Sequence, residues 1–433
     1  MKSLGKLESV SPDLLDMPRA SHFCIEHFAD YQSQPTSILL QVILLQEAGE
    51  IYTAISDQEF PPGTDIGNLG ELTAAANRVG SKPICLTRPF ELETVSIPKP
   101  WGQEIWYSGI EQRGVSTVKS VPLPWLLSVF GDYLGCVGSP MLLKILDPFP
   151  EPNLGDLYFE MHEKKIEVYV VTQVDPGAWP TGSGKIRYGF DQDVINEFES
   201  VDKFRDSYQL AVTEYRLTRN EVDAQLKSLK KKQGLIAGNP LAPAQYNEFI
   251  AQIDPELTAR EEQLRHNMYR HTGMLDFSVG DVVAIGPMVP HSLQHGVRVI
   301  EFQTPHYERY ILSFGQEVLT QDHWDTDSAL AGARTEASTP EPPVQIAPGR
   351  DLIADFDAFK VTRLMLEPGD YSETQHTNYT MVIGVAGEMA LDDLTEVGPE
   401  QAFFQAPKEA LRFTNRGKTP ATVLIAEENT PSP

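Results

Sequence analysis

Two strand-like segments, far apart in the chain, carry side chains of the types that bind metal ions in proteins. In the first segment Glu160 and His162 are two residues apart, and because side chains alternate between the faces of a strand, both point to the same side. We expect a short polar turn to return Glu167 on the next strand. Taken alone, this pattern is also typical of a solvated β-hairpin, so the second segment decides its interpretation.

The second segment predicts a β-hairpin that delivers a histidine. Residues 280–281 indicate a turn, residues 282–285 a strand, and Pro287 and Pro290 a stiff bend, so that His291 begins the next strand. Two carboxylates and two imidazoles are then expected to converge on one point. Such a mixed nitrogen and oxygen ligand set suits zinc, with iron, manganese, nickel and cobalt as competitors, better than calcium or magnesium.

Further motifs flank these segments in a fixed order. KPWGQEIWY occupies 99–107 and SPMLLKILD 139–147, followed by a series of paired positions: Glu160-x-His162, Lys165-x-Glu167 and, far downstream, His291. From about residue 99 to residue 314 this order resembles the mannose-6-phosphate isomerase branch of the cupins. That family has a Pro-Trp-Gly opening, then Gln-x-His, Lys-x-Glu and a distant histidine. The resemblance covers half of the chain and implies a metal-dependent isomerase of a sugar or sugar phosphate.

Four positions depart from the pattern of that family. Glu160 replaces the usual glutamine, Tyr158 a serine, Glu163 a proline and Met288 a glycine. Glu160 adds a negative charge, which lowers the Lewis acidity of a bound ion. The family serine helps to bind phosphate, so Tyr158 bears on the phosphate end of the substrate.

The resemblance also implies catalytic groups. Arg309, which we expect on a strand leaving the metal site, matches the arginine that the family uses to hold the phosphorylated sugar. Glu301 and Gln303 share one face of the strand after His291, and Glu301 is a candidate base if an apolar cavity raises its pKa. Lys165 is a candidate to hold the sugar or to shuttle a proton. Glu301 and Lys165 are also of the types that hydrogen-bond to a metal ligand and orient it without contacting the substrate.

Three functions fit these residues. The first is a metal-dependent aldose–ketose isomerase acting on a sugar or sugar phosphate. The second is a metal cupin with other chemistry, such as a dioxygenase or a lyase of acidic sugars. The third is a non-catalytic cupin that binds sugar. Metal identity and oxygen consumption distinguish them.

Composition excludes several partners. The formal net charge of −26 disfavours nucleic acids and anionic membranes, which are bound through lysine and arginine. The three cysteines lie far apart, which predicts free thiols in a reducing compartment. The N-terminus lacks the apolar core of a signal peptide, so we expect a cytoplasmic protein with a small-molecule sugar ligand.

The pattern along 433 residues predicts a mainly β protein with two cupin jelly rolls. Residues 1–95 read as a partly helical N-terminal extension, with a buried helix over 37–55 and a shorter one over 71–79. The metal-binding cupin spans 96–325 and contains a helical insertion at 191–271, with Asn220 and Asp254 as helix N-caps. Residues 326–349 read as a linker, and 350–433 as a degenerate second cupin.

The second cupin lacks metal ligands at the expected positions. Gln375, Thr377 and Met381 occupy the first three, and Arg412 stands where the last histidine would be. His376 is one place out of register and is expected on the other side of its strand, as a surface or packing residue. The domain is therefore predicted to be metal-free and structural.

Overall fold

The computed structural model describes residues 2–7, 17–31, 34–62, 64–110, 114–236, 239–318, 321, 323–337 and 339–429. Its first elements are β1 (Lys2–Leu7), β2 (Ala20–Tyr31), β3 (Gln34–Glu47), β4 (Glu50–Ser56), α1 (Leu69–Arg78), β5 (Ile84–Cys85), β6 (Phe90–Glu91), β7 (Val95–Lys99), β8 (Gly102–Trp106), β9 (Thr117–Val118), β10 (Val121–Pro122), α2 (Leu123–Leu134) and β11 (Leu142–Pro148).

The middle of the chain continues with β12 (Phe159–Met161), β13 (Glu167–Val174), β14 (Ser183–Phe190), α3 (Gln192–Ile195), α4 (Val201–Lys232), α5 (Pro243–Ile250), α6 (Pro255–Tyr269), β15 (Thr272–Ser278), β16 (Val282–Ile285), β17 (His291–Leu293), β18 (Val297–Gln303), β19 (Tyr310–Ser313) and α7 (Thr326–Ala329). The last elements are β20 (Val344–Ala347), β21 (Arg350–Asp355), β22 (Phe359–Leu366), β23 (Tyr371–His376), β24 (Thr380–Ala386), β25 (Met389–Leu391), β26 (Thr395–Val397), β27 (Ala402–Gln405), β28 (Lys408–Thr414) and β29 (Ala421–Glu428).

Strands dominate, and most of their pairings are antiparallel, which confirms the predicted mainly β class. The chain divides into two compact units. The first comprises Met1–Val95, Trp106–Lys144 and Pro342–Pro433, and the second Ser96–Ile105 and Ile145–Glu341. The predicted extension and the C-terminal residues therefore fall in one unit, and they also share a sheet, because β6 pairs with β27.

The helix predicted over 37–55 is wrong, because this stretch forms the antiparallel strands β3 and β4. The strands are joined at Ala48 and Gly49, whose φ angles of 53° and 82° are those of a tight hairpin turn. An apolar run that is buried on both faces of a sheet has the same sequence signature as a buried helix. The shorter helix is present as α1, whose Leu72 and Ala76 pack on Ile43 of β3.

The second unit contains two sheets of a β-sandwich. One has the strand order β16-β13-β18-β11-β8-β7 and the other β15-β14-β17-β12-β19. Side chains from both sheets form one buried apolar cluster, which includes Val171, Val283 and Val299 from the first sheet and Ile186 and Leu293 from the second. This core fixes the two sheets face to face.

A helical block separates β14 from β15. Its longest helix, α4, has Phe204, Tyr208, Val212 and Tyr215 buried along one side. Asp254 caps α6 through Glu256 N–H and is followed by proline at the first helical position, as predicted. Asn220 is not an N-cap, because α4 continues through it without a break. Among the described residues no helix combines the length and apolarity needed to cross a membrane.

The stretch predicted as a linker contains regular structure. Thr326–Ala329 forms α7, a 3-10 turn covers Leu330–Gly332, and Val344–Ala347 forms β20. The Thr326 hydroxyl donates to the Leu312 carbonyl over 2.6 Å, while Ala329 and Leu330 join the core of the helical block. A few buried contacts therefore order a segment whose composition alone is that of a loop.

The first unit also contains the C-terminal sandwich, whose sheets have the orders β20-β21-β22-β29-β24-β27-β6 and β23-β28-β25-β26. His376 lies on the side of β23 opposite to the exposed Gln375 and is a packing residue, as predicted. It is buried, and its Nδ1 lies 3.2 Å from Glu427 Oε2, while Nε2 lies 2.5 Å from the Thr374 hydroxyl. The register of β23 against β28 shifts between Thr374 and His376.

Packing of the helical block on its strands is testable at Phe204, which is fully buried against Phe190 and Phe198. We expect Phe204→Ala to lower the free energy of unfolding by about 3–5 kcal/mol, because it leaves a cavity among aromatic rings. Leu210→Ala on the same helix is the control, since Leu210 is 60% exposed, and should change it by less than about 0.5 kcal/mol. Urea unfolding measures both, and equal effects would contradict the packing described.

Candidate metal centre

Neighbouring strands of the five-stranded sheet place Glu160 and His291 side by side. Glu160 lies on β12 and pairs in register with His291, the first residue of β17. Residues that face each other across an antiparallel pair project to the same side. His162 follows one residue after the end of β12. One ligand atom each from Glu160, His162 and His291 lie within 4.8 Å of one another.

Glu167 reaches the same place from the opposite sheet. It is the first residue of β13, which pairs with β16 and β18 and not with β12. The hairpin pairing expected between these two segments is therefore wrong, although the approach of Glu167 is as expected. Its Oε1 lies 2.6 Å from His291 Nε2 and 3.4 Å from His162 Nε2. The site is thus assembled between the two sheets.

Glu308 contacts the connection between β12 and β13. The sequence periodicity did not identify this residue. Its carboxylate accepts the backbone N–H of Lys165 at 2.9 Å and that of Lys164. Its carbonyl oxygen lies 3.0 Å from His162 Nδ1. One loop residue therefore fixes both the turn after β12 and the orientation of the histidine ring.

The contacts of the two imidazoles define which nitrogen faces the site. Val289 O lies 3.0 Å from His291 Nδ1, as Glu308 O does from His162 Nδ1. A carbonyl oxygen only accepts hydrogen bonds, so each Nδ1 carries the proton. Each Nε2 then directs a lone pair towards Glu167, and neither has a hydrogen-bond partner among the described residues.

The charge states reinforce this arrangement. Burial lowers the pKa of His162, the Lys165 ammonium lowers it further, and these effects outweigh the nearby carboxylates. Burial alone would raise the pKa of Glu167, but the Lys165 ammonium holds it well below the usual value. A carboxylate thus faces imidazole lone pairs at short range, an arrangement that a divalent cation between them would satisfy. On the same side, the buried Oε2 of Glu160 has no hydrogen-bond partner among the residues that the structure describes.

Lys165 contributes a fixed positive charge. Its Nζ lies 2.7 Å from Glu167 Oε2 and 3.9 Å from Glu301 Oε1. Burial lowers the pKa of Lys165, but the carboxylates of Glu167, Glu301 and Glu160 outweigh this and raise it above the ordinary value. Near neutral pH the ammonium therefore donates hydrogen bonds and does not accept a proton.

Glu301 and Gln303 lie on one face of β18, opposite Tyr169 and Glu167 of β13. This is the shared face expected from their spacing, and both side chains are buried. Gln303 Nε2 donates to the carbonyl oxygens of Thr304 and His306 at 3.0 and 3.2 Å. Gln303 thus stabilises the start of the loop that leads to Glu308.

Arg309 lies one residue before β19 and not within a strand as expected. Its guanidinium carbon is 4.7 Å from the ring centroid of Tyr158, and Tyr158 itself packs on Phe314 with the ring centroids 4.2 Å apart. The tyrosine therefore forms an aromatic support for the arginine.

Met288 has φ of 62°. This is a left-handed conformation that glycine adopts more readily than methionine, and Met288 is the position at which the sequence pattern described above has glycine.

Comparison with known proteins identifies the fold. No protein-family model matches the chain, and no curated protein does so. Mannose 6-phosphate isomerase from Bacillus subtilis is 14% identical, with a TM-score of 0.52, and the alignment covers 78% of this chain and 99% of that one.

Two further solved structures agree. The apo form of mannose 6-phosphate isomerase from Salmonella typhimurium is 12% identical, with a TM-score of 0.50 and coverage of 79% of this chain and 99% of that one. A mannose 6-phosphate isomerase bound with zinc and yttrium is 12% identical, with a TM-score of 0.51 and coverage of 79% and 100%. The chain therefore has a fold similar to that of the phosphomannose isomerases.

The protonation of His162 is testable by NMR. In metal-free protein at pH 6.5 we expect a neutral ring with the proton on Nδ1, because burial and Lys165 lower its pKa below the ordinary 6.5. The unfolded chain binds that proton more readily, so this group destabilises the fold as pH falls from about 6.5 through the folded pKa. Long-range ¹⁵N–¹H correlation spectra report the tautomer, and a protonated ring at pH 6.5 would contradict this account.

Proposed function

We propose that this protein is a metal-dependent aldose–ketose isomerase of the mannose-6-phosphate isomerase type, acting on a sugar or sugar phosphate. The observation that carries the proposal is the pair of histidines whose Nδ1 atoms are bound to carbonyl oxygens and whose Nε2 atoms lie 3.4 and 2.6 Å from the same Glu167 oxygen. The fold similarity to phosphomannose isomerases supports the assignment of the reaction class.

The residues present fit a divalent ion. Glu160, His162, Glu167 and His291 would hold it, through two imidazole nitrogens and carboxylate oxygens. This donor set suits zinc or another borderline ion better than calcium or magnesium. When bound, the ion supplies Lewis-acid polarisation of the sugar carbonyl and stabilises the negative charge that develops on its oxygen.

Isomerisation moves a proton between two neighbouring carbons, and we assign Glu301 to this transfer. Its carboxylate is buried beside the site and 3.9 Å from Lys165 Nζ, whereas the raised pKa of Lys165 excludes the lysine as the base near neutral pH. Lys165 would donate a hydrogen bond to a sugar oxygen and stabilise the ionised form of Glu301. Removing the proton next to a carbonyl requires a positioned base, and the Glu301 carboxylate can serve as one.

Arg309 is the cation that we assign to an anionic substrate group. Its guanidinium is only partly buried, and stacking on Tyr158 orients its plane. A planar guanidinium binds a phosphate through two parallel hydrogen bonds, which a lysine cannot reproduce. The family serine contributes its own hydroxyl to phosphate binding. Tyr158 stands in its place and would contribute by orienting Arg309.

Measurement of the metal content tests the first step of this proposal, the binding of a divalent ion. After reconstitution near neutral pH, where histidine is unprotonated, we expect about one divalent ion per chain and almost none in His291→Ala. His266→Ala is the matched control, because His266 is exposed on α6. Elemental analysis measures the ion, and circular dichroism checks that the sandwich remains folded. A wild-type protein that binds no divalent ion would refute the site.

Turnover tests the assignment of the reaction. With two carboxylates the ion is nearly neutralised, so we expect slow interconversion of mannose 6-phosphate and fructose 6-phosphate by the natural protein. Glu160→Gln should raise kcat by about tenfold, equivalent to ~1.4 kcal/mol in the barrier. Glu163→Gln is the control, since Glu163 contacts Tyr310 and lies outside the ligand group. High natural turnover that falls in Glu160→Gln would show that the extra charge is catalytic.

A further inference from the structure

A second cleft lies within the second unit, away from the candidate metal centre. Its volume is about 540 Å³, within the range of about 300–1,000 Å³ that is usual for small-molecule sites. Its walls are the loop at Glu151 and Leu154, residues of α4, α5 and α6, and the loop after β19 at Gln316. None of the four residues of the metal centre lines it.

Strand register separates the two sites. Glu160 pairs with Ile311, and Phe159 with Ser313, in antiparallel strands. The cleft therefore lies towards the N-terminal end of β12 and the C-terminal end of β19. Leu154 and Gln316 lie beyond the far ends of these strands. The lining of the cleft therefore continues beyond both strands and includes none of the four residues of the metal centre.

A network of buried ion pairs forms one wall of the cleft. Arg219 donates to Asp223 from Nε and Nη2 at 2.8 and 2.6 Å, and to the Tyr246 hydroxyl at 3.0 Å. Glu261 accepts from Arg265 at 3.0 Å and from Tyr215 at 2.6 Å. Burying so many charges is unfavourable unless each is paired. The pairing holds Arg219, Tyr246 and Arg265 rigidly at the surface of the cleft.

Other groups remain for a ligand. Glu151 lines the cleft, and one oxygen of its carboxylate, the buried Oε2, has no hydrogen-bond partner among the described residues. The side chain of Asn247 is exposed at the rim and offers both a donor and an acceptor. Apolar side chains of Leu154, Val222 and Ile250 lie between these polar groups. Hydrogen-bonding groups alternating with small apolar surfaces match the hydroxyls and C–H faces of a sugar ring.

The charge of the lining argues against an anion. Two arginines face three carboxylates, those of Glu151, Glu261 and Glu262, and the formal charge of the whole chain is −26. The net negative charge of the lining and the net negative charge of the whole chain both repel a phosphate or carboxylate ligand. A cation would find Arg219 and Arg265 on the same wall, so an uncharged polar ligand fits best.

We propose that this cleft is a second ligand site, and that it binds an uncharged mono- or disaccharide independently of the metal centre. Glu151 accepts a sugar hydroxyl, Asn247 contacts the exposed edge of the ring, and Tyr246 donates from the wall. The inference does not rest on the proposed isomerase function, because it uses no residue of the metal centre.

The test is calorimetric titration of the full chain with D-mannose, D-glucose, D-fructose, maltose and sucrose, and with mannose 6-phosphate for comparison. The titrations use the His291→Ala variant as well as the natural protein, so that binding at the metal centre is recognised. Glu151→Ala removes a carboxylate whose Oε2 has no hydrogen-bond partner in the described part of the chain, and Asn247→Ala changes an exposed side chain. Neither substitution is expected to unfold the chain.

Support would be binding of at least one uncharged sugar that persists in His291→Ala and weakens about tenfold in Glu151→Ala, as expected for a lost hydrogen bond to a charged acceptor. Asn247→Ala should weaken it less. The proposal is overturned if no uncharged sugar binds, or if binding disappears in His291→Ala but survives both cleft substitutions. Tighter binding of mannose 6-phosphate in the His291→Ala protein would overturn the assignment to uncharged ligands.

Discussion

The ionised, fully buried carboxylate of Glu167 is the interaction on which the centre of the second unit depends. A buried charge without compensation costs several kcal/mol, so its neighbours must supply positive charge or hydrogen bonds. Lys165 supplies an ammonium at 2.7 Å, and the Tyr169 hydroxyl donates at 3.2 Å. These contacts come from β13 and the turn before it. The remaining Oε1 interactions are directed at His162 and His291 in the facing sheet, so the carboxylate links the two layers.

The residues that the sequence located were those governed by local geometry. Alternation along a strand placed Glu160 beside His162, and Glu301 on the same face as Gln303. The turn and proline bend before His291 likewise determine where β17 begins. These features depend on a few neighbouring residues and on a side-chain period of two, which is why they were readable without knowledge of which strands pair.

Features decided by distant partners were not readable. The pairing of β13 with β18, instead of with β12, is chosen by the packing of two sheets. The apolar run of β3 has the same sequence pattern as a buried helix. The packing of α1 against β3, which distinguishes the two, is not readable from that pattern. Glu308 acts through a backbone carbonyl and two backbone N–H contacts, which leave no periodic pattern in the sequence. The order within the predicted linker likewise arises from contacts with β19.

Formal charges at the metal centre bear on the kind of sugar that fits it. The carboxylates of Glu160, Glu167 and Glu301 balance the combined charge of the Lys165 ammonium and a divalent ion. With glutamine in place of Glu160 the centre would keep one positive charge. In the proposed isomerase the binding of a phosphate dianion would therefore depend on Arg309, whose guanidinium lies over the Tyr158 ring and outside the ligand group. In the proposed isomerase an uncharged sugar would need no such contact, so a requirement for Arg309 would distinguish a phosphorylated substrate from an uncharged one.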